Sequence, residues 1–396
     1  MSWTRTGVPF VLSCRGDAPE DVMTEPNPAR AEDNSSELHE EGILTALRQV
    51  IDPDLHKDIV TLGFVQNLVI DGNDVRFTLE LTTPACPVRQ TFIDNCKARI
   101  QEAFPQVGEI DIELTAQVRK DPTLARGQYL PGVKNAILVG SGKGGVGKST
   151  VSVNLALSLA SQGAKVGLLD ADVYGPSIPT MLDLHEARIQ GEGKTMFAVE
   201  KHGLKIVSVG FMTAPGQPLA MRGPMLLGII TQFLGSVDWG ELDYLIIDLP
   251  PGTGDVQLSL TQNLKATGAV IVTTPQDVAL ADVARAVGMF RIPQLNVPIL
   301  GVVENMSMFC CPACGTETPI FLSGGGERAA AEYGVPFLGQ IPLEPSIPPS
   351  GDRGMPVVVA EPDGPVAQHF LKVAGNLVRN LHHLEPAAEE EQQGVG

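Results

Sequence analysis

Cysteine is scarce in this chain: six residues in 396, at positions 14, 86, 96, 310, 311 and 314. So few thiols do not staple a chain of this length, which excludes a disulfide scaffold and makes a reducing cytoplasm the expected setting. Long apolar runs are missing too, and no stretch of the sequence reaches the span of a bilayer. The run "TGVPFVLSCR" has an Arg before it and a Cys within it, but it is too short for a signal core and Pro9 interrupts it. An unstructured leader is the reading there, with Met23 as an alternative start. Positive charge is in deficit, with 28 Lys and Arg against 46 Asp and Glu and a formal net charge of −18. A surface that neutralises nucleic-acid phosphates needs the opposite balance, so nucleic acid is not an expected partner. A basic amphipathic helix at the end would suit a membrane surface, but this chain closes on "LHHLEPAAEEEQQ", so no membrane partner is expected either.

What is present falls into five stretches. Residues 1–35 and 385–396 are acidic and read as a solvated leader and tail. Residues 36–118 read as a small α/β domain. "SELHEEGILTALRQVID" puts Leu38, Ile43, Leu47 and Val50 on one helical face, capped by Ser35 or Ser36. "FVQNLVIDGNDVRFTLEL" is two alternating strands around a turn at "DGND"; a helix through "PVRQTFIDNCKARIQEAF" and a strand "IDIELTAQV" follow. Residues 119–133 carry the Pro, Gly and charge of a linker. From 134 to 384, short Val- and Ile-rich runs alternate with helical segments: "AILVG", "KVGLLD", "LKIVSVG", "YLIIDLP", "AVIVTTP" and "ILGVVENM". That alternation predicts a mostly parallel, doubly wound α/β sheet, with the ligand beyond the carboxyl ends of its strands.

Gly142 to Ser149 satisfies G-x-x-x-x-G-K-[ST], between the strand "AILVG" and a helix beginning "STVSVN". This is where a phosphate loop of a P-loop NTPase must stand. Gly142, Gly144, Gly145 and Gly147, with Val146 between them, let backbone N–H groups curl around a β-phosphate, and the helix start at Ser149 and Thr150 adds its partial positive charge. Lys148 is expected to bridge the β- and γ-phosphates of ATP and the Ser149 hydroxyl to ligate Mg²⁺. Asp248, which ends the apolar run at the start of "YLIIDLPPGTGD", is the acid expected opposite that ion. Asp170 and Asp172 of "LLDADVYGPS" end another strand; one should orient the attacking water, Asp172 being preferred, while helix capping is their plain alternative.

Lys143 is a second cation in a loop that needs one. It is either a solvated loop lysine or, in a symmetric dimer, a group that reaches the partner's phosphates as an arginine finger does. Downstream, Cys311 and Cys314 of "MFCCPACGTETPIF" form a C-x-x-C pair with no second such pair in the chain. Two thiolates are half of a zinc or iron–sulfur site, and a two-fold axis between two copies would supply the other half. Spacing leaves structural zinc, an iron–sulfur cluster and a redox dithiol all open.

"KGGVGKST" resembles the deviant phosphate loop of the family that contains septum-positioning and chromosome-partition ATPases and the nitrogenase iron protein. With "DADVYGPSIP", "RGPM", "DYLIIDLPPGTGD", "TTPQDVAL" and "GVVENMS" in order, residues 133–384 resemble its Mrp/ApbC branch of iron–sulfur cluster carriers. The resemblance implies an ATP-dependent homodimer with Lys143 as signature lysine, a [4Fe–4S] cluster bridged by Cys311 and Cys314 and passed to apoproteins, and Asn305 at the adenine, although an Asn there also suits a turn. A spatial-organising ATPase or one with structural zinc at the dimer axis is the alternative. Cys310 departs from the family's single cysteine at that point. "VIDPDLHKDIVTLGFV" with "LTTPACPVRQTF" resembles the small accessory domain of iron–sulfur assembly factors. Its Cys86, just before a helix, has either a role in cluster handover or none, and Cys96 reads as core.

Overall fold

The hydrophobic periodicity of residues 38–118 builds a three-stranded sheet with two helices. Helices α1 (Glu40–Leu47) and α2 (Arg89–Ala103) accompany strands β1 (Val65–Asp71), β2 (Asp74–Leu81) and β3 (Ile110–Ala116), in the order β1-β2-β3. The turn at "DGND" is a two-residue hairpin: Asp71 pairs with Asp74, and Gly72 takes φ 62°, a region open to glycine without strain. Ile43, Leu47, Phe77, Leu79, Phe92 and Ile100 close the core, and Cys96 lies fully buried among them. Burial pushes the Cys96 thiol up to about 12, so it stays an inert apolar group. The first helix starts later than its pattern predicts. His39, not Ser35 or Ser36, stands at the N-cap with no side-chain bond to the helix. Its ring packs edge-on against Phe104, and Glu40 and Glu41 supply negative charge to the first turn.

This structure is a computed structural model that describes residues 38–384, apart from 54–55, 85–88, 119, 122–123, 125–128, 174, 213–222, 312 and 315. The expected leader and tail, Cys14, Met23, Cys86 and Arg222 of "RGPM" therefore lie outside the described residues.

The second half of the chain forms an eight-stranded sheet. In chain order its elements begin with β4 (Val133–Gly140), α3 (Lys148–Ser161), β5 (Val166–Asp170) and α4 (Ile178–Met181). Strands β6 (Gln190–Glu192), β7 (Thr195–Phe197), β8 (Val199–Lys201) and β9 (Leu204–Ser208) follow. Then come α5 (Gly223–Ser236), β10 (Val237–Asp238), β11 (Leu242–Asp248), α6 (Asp255–Asn263), β12 (Gly268–Thr273), α7 (Asp277–Phe290) and β13 (Ile299–Glu304). The short pair β14 (Phe309–Cys310) and β15 (Glu317–Thr318) precedes α8 (Gly325–Glu332), β16 (Phe337–Gln340), α9 (Ile347–Asp352), α10 (Val357–Ala360) and α11 (Pro365–His382). The sheet order is β16-β13-β12-β4-β11-β5-β9-β8, parallel throughout except for β8 at one edge; β6, β7 and β10 make a separate small sheet.

Both faces of this sheet are covered, which is why its strands read as unbroken apolar runs. Along β4, Ile137 and Val139 point to the layer of α3 and α11, whereas Ala136 and Leu138 point to the layer of α5, α6, α7 and α8. Leu124 and Leu130, from the stretch read as a linker, are buried in the second layer. Thr83 of the small domain meets the sheet at Tyr244, with the two hydroxyls 3.2 Å apart and both residues buried. Parallel strands send their carboxyl ends to one edge. In register there lie Val139, Asp170 and Asp248, and beside them Thr273 pairs with Glu304. Among the described residues no helix is long and apolar enough to cross a membrane.

The seam between α11 and the sheet offers a test of this packing. Phe370 is 1% exposed within the α3–α11 layer. Phe370→Ala is expected to lower the unfolding free energy by about 3–5 kcal/mol, read from urea denaturation.

Candidate functional site

Strand β4 ends at Gly140, and α3 begins at Lys148 after seven intervening residues. Gly147 is its N-cap at φ 80°, and no side chain caps the first turn, so its N–H groups face the cleft ready for an anion. Two glycines here are dictated by close approach. A Cβ on Gly142 would stand 2.3 Å from the Asp282 carbonyl oxygen of α7, and one on Gly147 would stand 2.2 Å from Asn305 Nδ2. A cavity of about 210 Å³ follows the loop and is lined by Lys143, Lys148, Ser149, Asp172 and Pro251.

Lys148, 6% exposed, is held among acids. Its Nζ is 2.9 Å from Asp248 Oδ2 and 3.6 Å from Asp172 Oδ2. Ser149 Oγ donates to Asp248 Oδ2 at 2.5 Å, so the hydroxyl and carboxylate predicted to flank Mg²⁺ are adjacent. Ser152, one turn further along α3, donates to Asp248 Oδ1 at 2.6 Å. Asp170 is fully buried; it accepts from Ser208 Oγ at 2.9 Å and from the Asp172 N–H at 3.1 Å. Asp170 is thus turned into the protein, while Asp172 faces the cleft. Burial first, then the neighbouring Asp248 charge, pushes the Asp170 carboxyl up to about 8, against the opposing pull of Ser208 and Lys148. Neither Ser152 nor Ser208 was singled out in the sequence. Ser152 was in reach, since it lies four residues after Lys148 on the same helical face.

Lys143 is half-buried on the cavity wall and makes no ion pair among the described residues. Its backbone is fixed by the Ser141 hydroxyl, which donates to the Lys143 carbonyl at 2.9 Å. On the other side of the first α3 turn lies a second cavity of about 240 Å³, lined by Thr150, Asn154, Asn305, Met306, Leu343 and Ile347 among others. Asn305 Nδ2 donates to the Val146 carbonyl at 2.8 Å, pinning the phosphate loop to the end of β13. The wall from Pro342 to Pro356 was not legible as part of a site; its one signal was a proline-rich run after the last strand.

The cysteine pair sits on the hairpin of β14 and β15. The Cys311 N–H donates to the Thr316 carbonyl at 3.0 Å, and Cys314 Sγ lies 3.2 Å from Thr316 Oγ1. Hydrogen bonding from the Thr316 hydroxyl, then from its N–H, then from Cys311, holds the Cys314 thiol below its usual range. Cys314 is exposed, and Cys310 and Cys311 are half-buried. Nearby Ile320 and Leu322 are 53% and 57% exposed. Among the described residues no third His, Cys, Asp or Glu joins the pair in a metal-sized cluster.

Sheet, phosphate loop and paired acids define a P-loop NTPase. The chain belongs to the NUBPL iron-transfer P-loop NTPase family, whose model matches residues 132–378. Residues 40–112 match a second family, described as iron–sulfur cluster assembly protein. An iron-sulfur cluster carrier protein from Deinococcus radiodurans is 50% identical over 351 residues, covering 87% of this chain and 97% of that protein. One of the same name from Synechocystis is 48% identical over 342 residues, 85% of this chain and 96% of the relative. Among solved structures, a nucleotide-binding protein from Archaeoglobus fulgidus in complex with ADP is 41% identical, with a TM-score of 0.54 over 62% of this chain and 94% of its own.

The raised Asp170 carboxyl has a thermodynamic consequence. A carboxyl that binds its proton more tightly when folded favours the native state at low pH, and that stabilisation is lost as pH climbs from about 4 towards about 8. Asp170→Asn removes the titration. In nucleotide-free protein its thermal midpoint is expected to fall less across this window than that of the unaltered chain, and parallel curves would count against the shift.

Proposed function

We propose that this protein is an ATPase that carries an iron–sulfur cluster between two copies of itself and delivers it to apoproteins. The observation that carries this reading is the Cys311–Cys314 pair, half-buried at Cys311 and exposed at Cys314, which finds no further ligand among the described residues. A four-thiolate centre built from such pairs needs two chains. Exposed Ile320 and Leu322 beside it give a second copy an apolar surface to cover. The relatives' names supply the nature of the cargo. A cytoplasmic location agrees with thiols that must stay reduced.

At the nucleotide site, the uncapped N–H groups from Gly142 to Thr150 would cradle the phosphates of ATP, with the adenine in the cavity beside Asn305. Lys148 would leave its carboxylate partners for the β- and γ-phosphates. Ser149 and Asp248 are hard oxygen donors side by side, a pair that suits Mg²⁺, which when bound offsets phosphate charge. Asp172 orients the water that attacks the γ-phosphorus; the bond to the β-phosphate oxygen breaks, and ADP and phosphate leave. Asp170 serves this arrangement from beneath, through the Asp172 N–H. Lys143, with no ion pair among the described residues, is the cation left to reach the partner's phosphates. The division of labour we infer gives ATP chemistry and cargo to residues 134–384 and an accessory role to 36–118.

Lys143→Ala is expected to slow ATP hydrolysis about a hundredfold or more while nucleotide affinity changes little; unchanged turnover would remove the trans-acting lysine. Cys311→Ser with Cys314→Ser should abolish cluster uptake on anaerobic reconstitution and leave ATP binding intact. Iron, sulfide, zinc and oligomeric state measured on one sample decide the cargo: four irons and four sulfides per dimer are expected, whereas zinc alone, or a monomer that retains the cluster, overturns the reading.

A further inference from the structure

Glu304 ends β13 at the ligand edge of the sheet and is fully buried. All its hydrogen-bond partners among the described residues are uncharged. Ser307 Oγ donates to Oε1 at 2.5 Å, the Gly324 N–H to Oε1 at 3.0 Å and the Gly326 N–H to Oε2 at 2.5 Å, with Gln340 Nε2 at 3.4 Å from Oε1. A buried carboxylate is costly to hold, so four donors converging on it mark a fixed point of the fold. Three of those donors come from the two roots of the cysteine hairpin, and the fourth, Gln340, comes from the end of β16. Ser307 lies on the incoming segment between β13 and β14, and Gly324 and Gly326 lie at the N-cap and in the first turn of α8, twenty and twenty-two residues from Glu304. The glycines there answer to this packing: a Cβ on Gly326 would lie 2.9 Å from Glu304 Cβ, and Gly324 takes φ 71°.

The residue after Glu304 belongs to the nucleotide site. Asn305 holds the Val146 carbonyl of the phosphate loop, and its own N–H donates to Thr273 at the end of β12. Met306, which lines the apolar cavity, takes φ 56°, a conformation rare for a side chain of its size. Ser307 and Met308 then bond through their backbones to Ile341 and Leu343, on the segment that forms the opposite cavity wall. One peptide unit therefore separates a group on the phosphate loop from a carboxylate that clamps both ends of the cysteine hairpin.

We propose that Glu304 is a positioning residue that couples nucleotide occupancy to the cysteine hairpin, by tying both hairpin roots to the strand end that carries Asn305. A nucleotide that shifts Asn305 or Met306 moves this strand end, and the clamp passes the shift to Cys311 and Cys314 as one body instead of letting the hairpin absorb it. The inference rests on the reading of that pair as the cargo site, but it fails separately from it, because it is tested on free thiols with no metal present.

The experiment is peptide-resolved alkylation of Cys311 and Cys314 in the full-length, metal-free protein, with and without ADP or a non-hydrolysable ATP analogue. In the unaltered chain nucleotide is expected to change the alkylation rate about fivefold or more. In Glu304→Gln, whose amide keeps the shape but replaces one acceptor by a donor, the ratio should fall to within about twofold of one while nucleotide still binds. A folded Glu304→Gln protein that keeps the full ratio overturns the proposal, as does an unaltered chain whose thiols ignore nucleotide. Should Glu304→Gln fail to fold, Ser307→Ala carries the test. It removes only the incoming bond and should also reduce the ratio; an undiminished ratio there overturns the coupling as well.

Discussion

One buried ammonium, that of Lys148, organises the ligand edge of the sheet. Parallel strands deliver Asp170 and Asp248 in register to that edge, and Asp172 follows two residues on. Burial first, and then repulsion from the like charge of Asp248, raises the Asp170 carboxyl. Lys148 offsets part of that repulsion, 2.9 Å from Asp248 Oδ2, an oxygen it shares with Ser149, while Ser152 and Ser208 satisfy carboxylate oxygens that the ammonium does not reach. The arrangement holds more negative charge than its one cation balances. It is therefore suited to receive further positive charge, in the form of a divalent ion, together with the phosphates that would draw Lys148 away.

The strands were legible in the sequence because both faces of the sheet are buried, which turns "AILVG", "YLIIDLP" and "AVIVTTP" into unbroken apolar runs. The phosphate loop was legible because its glycines answer to distances the fold imposes, as at Gly142 beside Asp282. The serines that serve Asp170 and Asp248 were harder to see. A serine inside α3 or at the end of β9 has no pattern of its own, and its meaning comes from a carboxylate about 40 to 100 residues away. The first helix begins later than its apolar spacing suggests because that spacing marks a face and not an end; His39 stands at its N-cap and packs against Phe104.

Glu304 shows a further limit of the same kind. In "GVVENMS" it reads as an ordinary polar residue closing a strand, and nothing nearby in sequence announces that a hairpin twenty residues long returns to it. The three glycines of "SGGGERAA" are the counterpart signal. Gly324 needs its positive φ, while Gly325 and Gly326 must pass close to Pro275 and Glu304. Each half of the contact looks plain alone, and only the fold joins them.

Under the proposed reading, the same sheet edge lets two centres completed by a second copy answer to one event. Lys143 stands on the loop after β4, and the cysteine hairpin is rooted in the loop after β13; both strands open onto the same edge. A second copy would then meet Lys143, which has no ion pair among the described residues, the Cys311–Cys314 pair, and exposed Ile320 and Leu322. Because β12 alone separates β4 from β13, and Asn305 bonds across to Val146, a displacement at the phosphate loop has a short, bonded route to the hairpin roots. Under the proposed reading, nucleotide and cargo need no long relay through the core: the sheet edge that holds one also anchors the other.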